Sequence, residues 1–207
     1  MIFNYSNDYQ FSTRMALNNE SIEVLKSTKL LGTIISDDLK WSLNTKNIVK
    51  KANARMQLLR KVASFGASED DLKNIYFLYV RSQLEQSAVV WHSGLTEENA
   101  ADLERVQKTA VKIILKNKYN GYKKSLIKLD METLHERRNQ LSLNFAIKST
   151  KNKKMKYMFP RNIKSHLMKT RNPEKFQVQF AKTERLKKSA IISMQNLLNE
   201  HHSNMQN

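Results

Sequence analysis

Residues 29 to 61 confine the fold more than any other stretch. They read KLLGTIISDDLKW and then SLNTKNIVKKANARMQLLRK: a short apolar strand, an acidic turn, a tryptophan and a basic amphipathic helix. The apolar run Leu30 to Ile35 is interrupted by Gly32, which a strand accommodates at a bulge, at a plain kink, or where another part of the molecule approaches its backbone. On a helical wheel Ile48, Ala52, Leu59 and Ala63 share one narrow sector with Met56 and Val62 at its edges, the stripe of a helix packed on a core. Lys46, Lys50, Gln57, Arg60 and Lys61 point the other way, and Lys51 and Arg55, four apart, make a second basic pair on one flank. Such a face is either solvated or lies along phosphates.

Before this stretch the pattern is that of small β structure. MIFNYS begins as a strand. Phe11, Thr13, Met15 and Leu17 alternate with polar residues, Asn18 and Asn19 make a turn, and Ile22 and Val24 alternate again. This predicts a hairpin preceding the strand at Leu30 and a sheet of three or four strands, too small to stand without packing on the helices or on a missing partner. Asp37 and Asp38 superficially resemble the end of a polymerase box. Two-metal phosphoryl transfer, however, needs carboxylates from separate segments around ions about 4 Å apart. No second acidic strand accompanies the pair, so it reads as a turn and helix entry.

After it the chain reads as helix. Ser68 and Asp71 form a capping-box pattern, followed by a stripe of Leu72, Ile75, Tyr79, Leu84 and Ala88 running on to Trp91 as the most buried helix. Tyr76, Tyr79 and Trp91 are either core or base-stacking residues. Thr96 with Glu97 and Glu98 starts a third helix, whose apolar face is Leu103, Val106, Ala110, Ile113 and Ile114. Opposite them Arg105, Lys108, Lys112 and Lys116 fall in one line. From Lys108 to Lys116 the rise is about 12 Å, enough to run beside three or four phosphates at ~3.4 Å each. YNGY at 119 to 122 is a loop. A further helical region turns Leu126, Leu129, Leu134, Leu141 and Phe145 inward and carries Arg137 and Arg138, as a helix-to-helix brace or a phosphate clamp. Beyond residue 149, Phe176, Val178 and Phe180 alternate like one strand, and Ile191, Ile192, Leu197 and Leu198 suit a last short helix. The rest reads as loosely ordered charge that binds a polyanion without regard to sequence.

Composition sharpens the choice of partner. The 207 residues suit one domain with a real core, or a compact domain with extensions. Lys and Arg number 36 against 19 Asp and Glu, a net charge of +17, which repels itself in the compact state and points to a polyanion such as nucleic acid. Residues 1 to 41 hold 4 basic and 5 acidic groups, residues 42 to 149 hold 19 and 11, and residues 150 to 207 hold 13 and 3, so the field belongs to the helices and the tail. The absence of cysteine removes disulfides, zinc knuckles, thiolate catalysis and iron-sulfur ligation. The five histidines show no metal-ligand spacing; His201 and His202 read as solvated tail. No apolar run approaches the ~18 residues of a membrane span and no signal pattern opens the chain, which predicts a soluble, intracellular protein.

Five segments in this order and spacing, KLLGTIISDDLKW, ANARMQLLRK, YVRSQLEQSAVVW, LERVQKTAVKII and METLHERRNQL, resemble the C-terminal part of reverse transcriptases from non-long-terminal-repeat (LINE-type, jockey-like) retrotransposons, over residues 1 to about 149. The resemblance implies an α+β, mostly α fold: the end of the palm and the primer-grip β region in 1–41, a helical thumb-like domain in 42–149, and a basic C-terminal extension in 150–207. It implies that Leu31 and Gly32 belong to the primer grip, with Trp41 as its packing residue. Lys46, Lys50, Lys51, Arg55, Arg60, Lys61, Arg105, Lys108, Lys112 and Lys116 would then face a template-primer duplex. Position 30 is usually aromatic in that family and is leucine here. The fingers, the palm carboxylates and the aromatic-x-Asp-Asp box would lie upstream of Met1, which is then expected to be an internal methionine of a longer frame.

On this reading the chain carries no catalytic residue, no metal ligand and no cofactor, Mg2+ belonging only to the intact parent enzyme. Its partners are an RNA or DNA duplex or RNA–DNA hybrid and the missing palm and fingers, not a membrane, and its place is the nucleus. A second reading is a helical protein–protein interaction module whose charged faces are merely solvated and whose sheet edge recruits a partner. A third is a polymerase completed by its upstream region in trans.

Overall fold

The computed structural model describes residues 16 to 21, 25 to 162 and 175 to 205. It is mostly helical, with small antiparallel β structure at its N-terminal end. β1 (Ala16–Leu17) pairs with β2 (Glu20–Ser21), and β3 (Ser27–Leu30) with β4 (Thr33–Ser36). Asn18 and Asn19 (φ 52° and 67°) and Leu31 and Gly32 (φ 48° and 87°) hold left-handed conformations, the two-residue turn whose twist matches its strands. The apolar run at Leu30 is therefore strand, turn and strand. Among the described residues the hairpins form two separate sheets, not one sheet of three or four strands. Gly32 also meets the close approach that its position suggests, since a Cβ there would lie 2.5 Å from Nε2 of Gln86. The MIFNYS strand, the alternation from Phe11 to Met15, and Ile22 and Val24 lie outside the described residues.

Helix α1 (Ser42–Ser64) buries Ile48, Ala52, Met56, Leu59 and Ala63, the stripe that its periodicity defines, and half-buries Val62. At its start the Asn44 side chain accepts the Ile34 N–H at 3.1 Å, fastening the second hairpin to the helix. Ser68 caps α2 (Glu69–Ile75), its hydroxyl accepting the Asp71 N–H at 3.1 Å. α2 then passes through a π-helical turn, Tyr76–Arg81, into α3 (Ser82–Glu85).

The π turn has a cause in the sequence. The buried apolar residues before the break are Leu72, Tyr76, Val80 and Leu84, spaced by four. An ordinary helix would rotate such a row by about 40° at each step, and widening one turn keeps it aimed at the core. Tyr79, read as part of the inward stripe, is 50% exposed for the same reason. Nor does the helix run unbroken to Trp91. Gln86 is extended (ψ 120°) and Ser87 left-handed (φ 54°), and α4 (Ala88–Trp91) starts afresh. Trp91 is fully buried and its indole N–H donates to the Gln86 carbonyl at 3.0 Å, covering the break.

After a short 3-10 turn at His92–Gly94 comes α5 (Glu97–Leu115), capped by Thr96, which accepts the Asn99 N–H at 3.2 Å. α6 (Tyr122–Lys128) and α7 (Leu134–Lys151) follow, the latter opened by a reciprocal capping box between Thr133 and Glu136. One apolar core joins α1 to α6 and the start of α7. A second, of Ala146, Phe159, Phe176, Met194 and Leu198, joins α7 to α9 (Ala190–Met205), a helix of 16 residues at the position where the sequence suits a short one. Between them lies α8 (Glu184–Lys187), from which Arg185 donates to the Asp38 carbonyl beside the second hairpin.

Two polar clusters run through the interior. Buried Gln107 accepts from Tyr76 Oη at 2.7 Å and donates to Tyr122 Oη at 2.9 Å and to the Glu132 carbonyl at 2.8 Å. Tyr122 in turn donates to Glu104, whose carboxylate also accepts the first N–H of α7. Burial and that carboxylate push the Tyr122 phenol well above its usual range. Arg138 is 0% exposed; its Nε donates to His92 Nδ1 at 3.1 Å, and His92 Nε2 meets Asn139 Oδ1 at 2.9 Å. Burial lowers the Arg138 pKa to about 10, with the Glu104 and Glu85 carboxylates working against it, so the guanidinium stays charged at neutrality.

This packing makes two outcomes measurable. A Cβ on Gly94 would lie 2.6 Å from Trp41 Nε1 and 2.9 Å from its Cδ1. Gly94→Ala is therefore expected to cost about 1 to 3 kcal/mol, measured as a lower urea midpoint at unchanged slope. Burial, and then the Arg138 charge, hold the His92 pKa down to about 4 from 6.5. Between those values the unfolded chain binds the extra proton and the folded chain does not. Stability is thus full above pH 6.5 and declines as the pH falls toward 4, by at most about 3 kcal/mol from this group. Arg138→Met is expected to raise the His92 pKa, read by proton titration in NMR, and to narrow that acid loss.

Candidate nucleic-acid interface

α1 and α5 lie side by side and run in the same direction. At their N-terminal ends Asn99 Nδ2 donates to Ser42 Oγ at 3.1 Å, and at their C-terminal ends Lys116 Nζ donates to the Ala63 carbonyl at 3.0 Å. Both helices sink their stripes into the same core. Their opposite faces therefore look out on one side of the pair, and those faces hold the cations that the sequence singles out. Lys46, Lys50, Arg60, Lys61, Arg105, Lys108, Lys112 and Lys116 are all exposed. From Lys46 to Lys61 the helix rises about 22 Å, the length of roughly six strand phosphates.

The cations are not equivalent. Among the described residues Lys46, Lys50, Arg60 and Lys61 are in no ion pair or side-chain hydrogen bond, so their charge stands in solvent. Lys108 and Lys112 lie over the rings of Tyr122 and Tyr119 at 5.2 and 5.5 Å, which orients them without neutralising them. Arg105 pairs with Asp102 at 2.7 Å. Lys116 donates to the Ala63 carbonyl at the end of α1, which also accepts the Gly66 N–H at 3.3 Å, and there the helix dipole favours a cation. Half-buried Lys51 and exposed Arg55 sit on the other flank, toward the π turn, where Arg55 Nη1 donates to the Tyr79 carbonyl at 2.8 Å. Lys51 and Arg55 thus lie apart from the shared outer side.

Leu31 and Gly32 form the tip of the second hairpin. Leu31 is 90% exposed, while Gly32 faces the Gln86 amide. That amide accepts from Gln83 at 2.8 Å, so the tip rests on the break between α3 and α4. Asp38 takes a turn role beside it. Its carboxylate accepts from Ser36 Oγ at 2.6 Å and from the Lys40 N–H at 2.9 Å, and these bonds hold its pKa below the usual range.

Arg137 and Arg138 are braces rather than clamps. Arg137 reaches Glu85 at 3.3 Å, a carboxylate that also holds Arg81 at 3.1 Å, and Arg138 has no exposed surface. Of the aromatics weighed as stacking residues, Tyr76 and Trp91 are buried core. Sequence reasoning missed Gln107 and Gln86 as polar hubs. Gln107 sits beside Val106 and Ala110 on the buried face, and that placement is the only sequence signal for it.

Among the described residues no group of three or more His, Asp and Glu side chains converges as metal ligands would, and no helix is long and apolar enough to cross a membrane. No family model, no curated protein and no solved structure matches the chain.

The division of labour among the cations makes a prediction. Lys116→Met is expected to lower stability by about 1 kcal/mol, because it removes the ammonium that ties α5 to the Ala63 carbonyl of α1. Lys50→Met should change stability by less than about 0.5 kcal/mol. Thermal or urea unfolding of the two variants, side by side, reads the difference.

Proposed function

We propose that this chain grips a nucleic-acid duplex through the outer side of the α1/α5 pair, as the thumb-like part of a retrotransposon reverse transcriptase, and performs no nucleotide addition on its own. The observation that carries the reading is the parallel pairing of the two helices. It sets two lines of solvent-standing cations on one side of a rigid core, with spacing along each helix that suits successive phosphates. Contacts of this kind read backbone shape and charge, not base edges, and so accept any sequence, as a polymerase must. The exposed hairpin tip at Leu31, seated on the break between α3 and α4, suits a backbone support for a strand end. The template-primer duplex, as RNA–DNA hybrid or as either duplex, is the partner. The palm and fingers of the parent enzyme would supply the carboxylates and Mg2+. Action inside the cell, in the nucleus, belongs to the same reading.

The test is binding of the intact chain to a mixed-sequence hybrid duplex over a range of salt. Affinity is expected to fall steeply with salt and to ignore sequence. The combined variant Lys50→Glu, Lys61→Glu, Lys108→Glu and Lys112→Glu is expected to bind at least tenfold more weakly. Its salt slope should drop by about 0.9 for each phosphate that the variant no longer neutralises. Lys116 is left intact because it ties α5 to α1. Unchanged affinity in this folded variant would overturn the reading and favour a helical protein–protein module.

A further inference from the structure

By sequence the region beyond α7 supplies charge; folded, it also builds a small surface. Arg161 pairs antiparallel with Phe176. Asn162 N donates to the Lys175 carbonyl at 3.0 Å and Gln177 N to the Pro160 carbonyl at 2.8 Å. Beyond Pro160 the first segment leaves the ladder and coils into a 3-10 turn, Lys156–Met158. There the direct ladder gives way to one side chain of α9. The buried amide of Gln195 is inserted between the segments, Nε2 donating to the Met158 carbonyl at 2.9 Å and Oε1 accepting the Gln179 N–H at 3.2 Å. Four residues on, Asn199 holds Phe176 in the same way, accepting its N–H at 2.8 Å and donating to its carbonyl at 3.0 Å. Both segments are thus pinned by backbone bonds to one helix.

The clamp leaves two rings outside. Tyr157 is 76% exposed and Phe180 81%, and neither belongs to either apolar core. Each is the immediate neighbour of a residue whose backbone the Gln195 amide holds, so their roots are fixed relative to one another. The field around them is of one sign. The described residues 150–162 and 175–188 hold ten Lys and Arg and a single acid, Glu184, which is already paired with Lys187 at 2.5 Å. Two exposed aromatic rings on a fixed base, in a cationic surround, complement a flexible anionic polymer with flat π faces. In a duplex the bases stack on one another and turn only edges outward, which gives such rings nothing to stack on.

We propose that Tyr157 and Phe180 form a stacking platform for bases of a single-stranded nucleic acid, whose phosphates are met by Lys153, Lys154, Lys156 and Lys182. The proposal deepens the duplex-gripping reading and rests on it, by giving the unpaired strand next to a duplex a surface of its own.

The experiment measures binding of the full chain to a fluorescent oligothymidylate, an oligouridylate and a mixed-sequence hybrid duplex. Tyr157→Ala with Phe180→Ala is expected to weaken single-strand binding tenfold or more. The salt slope should stay unchanged, because stacking releases no counterions. Duplex binding should stay as it was, and Tyr157→Phe should bind like the parent. Both rings are exposed, so the variants retain the fold. Unchanged single-strand affinity in the double variant overturns the platform, as does an equal loss for strand and duplex. If instead the double variant alters only phosphatidylserine-vesicle binding or self-association in sedimentation, the platform is likewise overturned. The two readings fail separately: charge reversal on α1 and α5 decides the duplex grip, and ring removal decides the platform.

Discussion

A chain with this excess of positive charge must first hold itself together, and the packing of α1 against α5 is what does so. Ile48, Ala52, Met56, Leu59 and Ala63 meet Val106, Ala110, Ile114 and their neighbours in one apolar core from which lysine is absent. Hydrophobic burial of this kind does not depend on the sign of the charges around it. It therefore carries the fold, while the cations are held out on stems in water, where their mutual repulsion is screened. Hydrogen bonds at the two ends of the pair, from Asn99 to Ser42 and from Lys116 to Ala63, set direction and register rather than supply the attraction.

Small, specific fits lock the elements together. Gly94 leaves room for the Trp41 indole, Arg185 reaches the Asp38 carbonyl, and α9 packs on α7. The Arg138–His92–Asn139 chain is the inner counterpart of these fits. It puts a cation and an imidazole side by side out of water, so the imidazole stays neutral across the physiological range.

Much of this was legible in the residues alone. The stripe of α1, the caps at Ser68 and Thr96, and the turn at Asn18 and Asn19 each depend on neighbours in sequence, and each is found where the pattern sets it. The α+β, mostly α fold class is found as well. What misled was spacing that only tertiary packing interprets. Leu72 to Ala88 fits a 3.6-residue stripe through Ile75 and Tyr79 about as well as a four-residue row through Tyr76 and Val80, and burial selects the row. Gly32 left a bulge, a kink and a close approach open, and gave no sign that Leu31 would share its left-handed turn and split one strand into two. At the candidate interface the wheel found which cations face outward. It was blind to the Lys116 bond to Ala63, to the Arg55 bond to Tyr79 and to the burial of Arg138, because those partners lie 53, 24 and 46 residues away.

The parallel run of α1 and α5 has an electrical consequence. Neighbouring helices more often alternate, so that their dipoles cancel; here the half-charges at corresponding ends add. At the end near Ser42 the first turn of α1 contains no acid, whereas Glu97 and Glu98 offset α5. At the other end the Lys116 ammonium bonds the Ala63 carbonyl of α1. Residues 42–53 and 97–106 hold four basic and four acidic side chains, whereas residues 54–64 and 107–116 hold six basic and none acidic. These unit charges outweigh the helix half-charges. The surface is therefore a gradient most positive toward Ser64 and Lys116, and a rod-shaped anion lying along it would have a preferred heading.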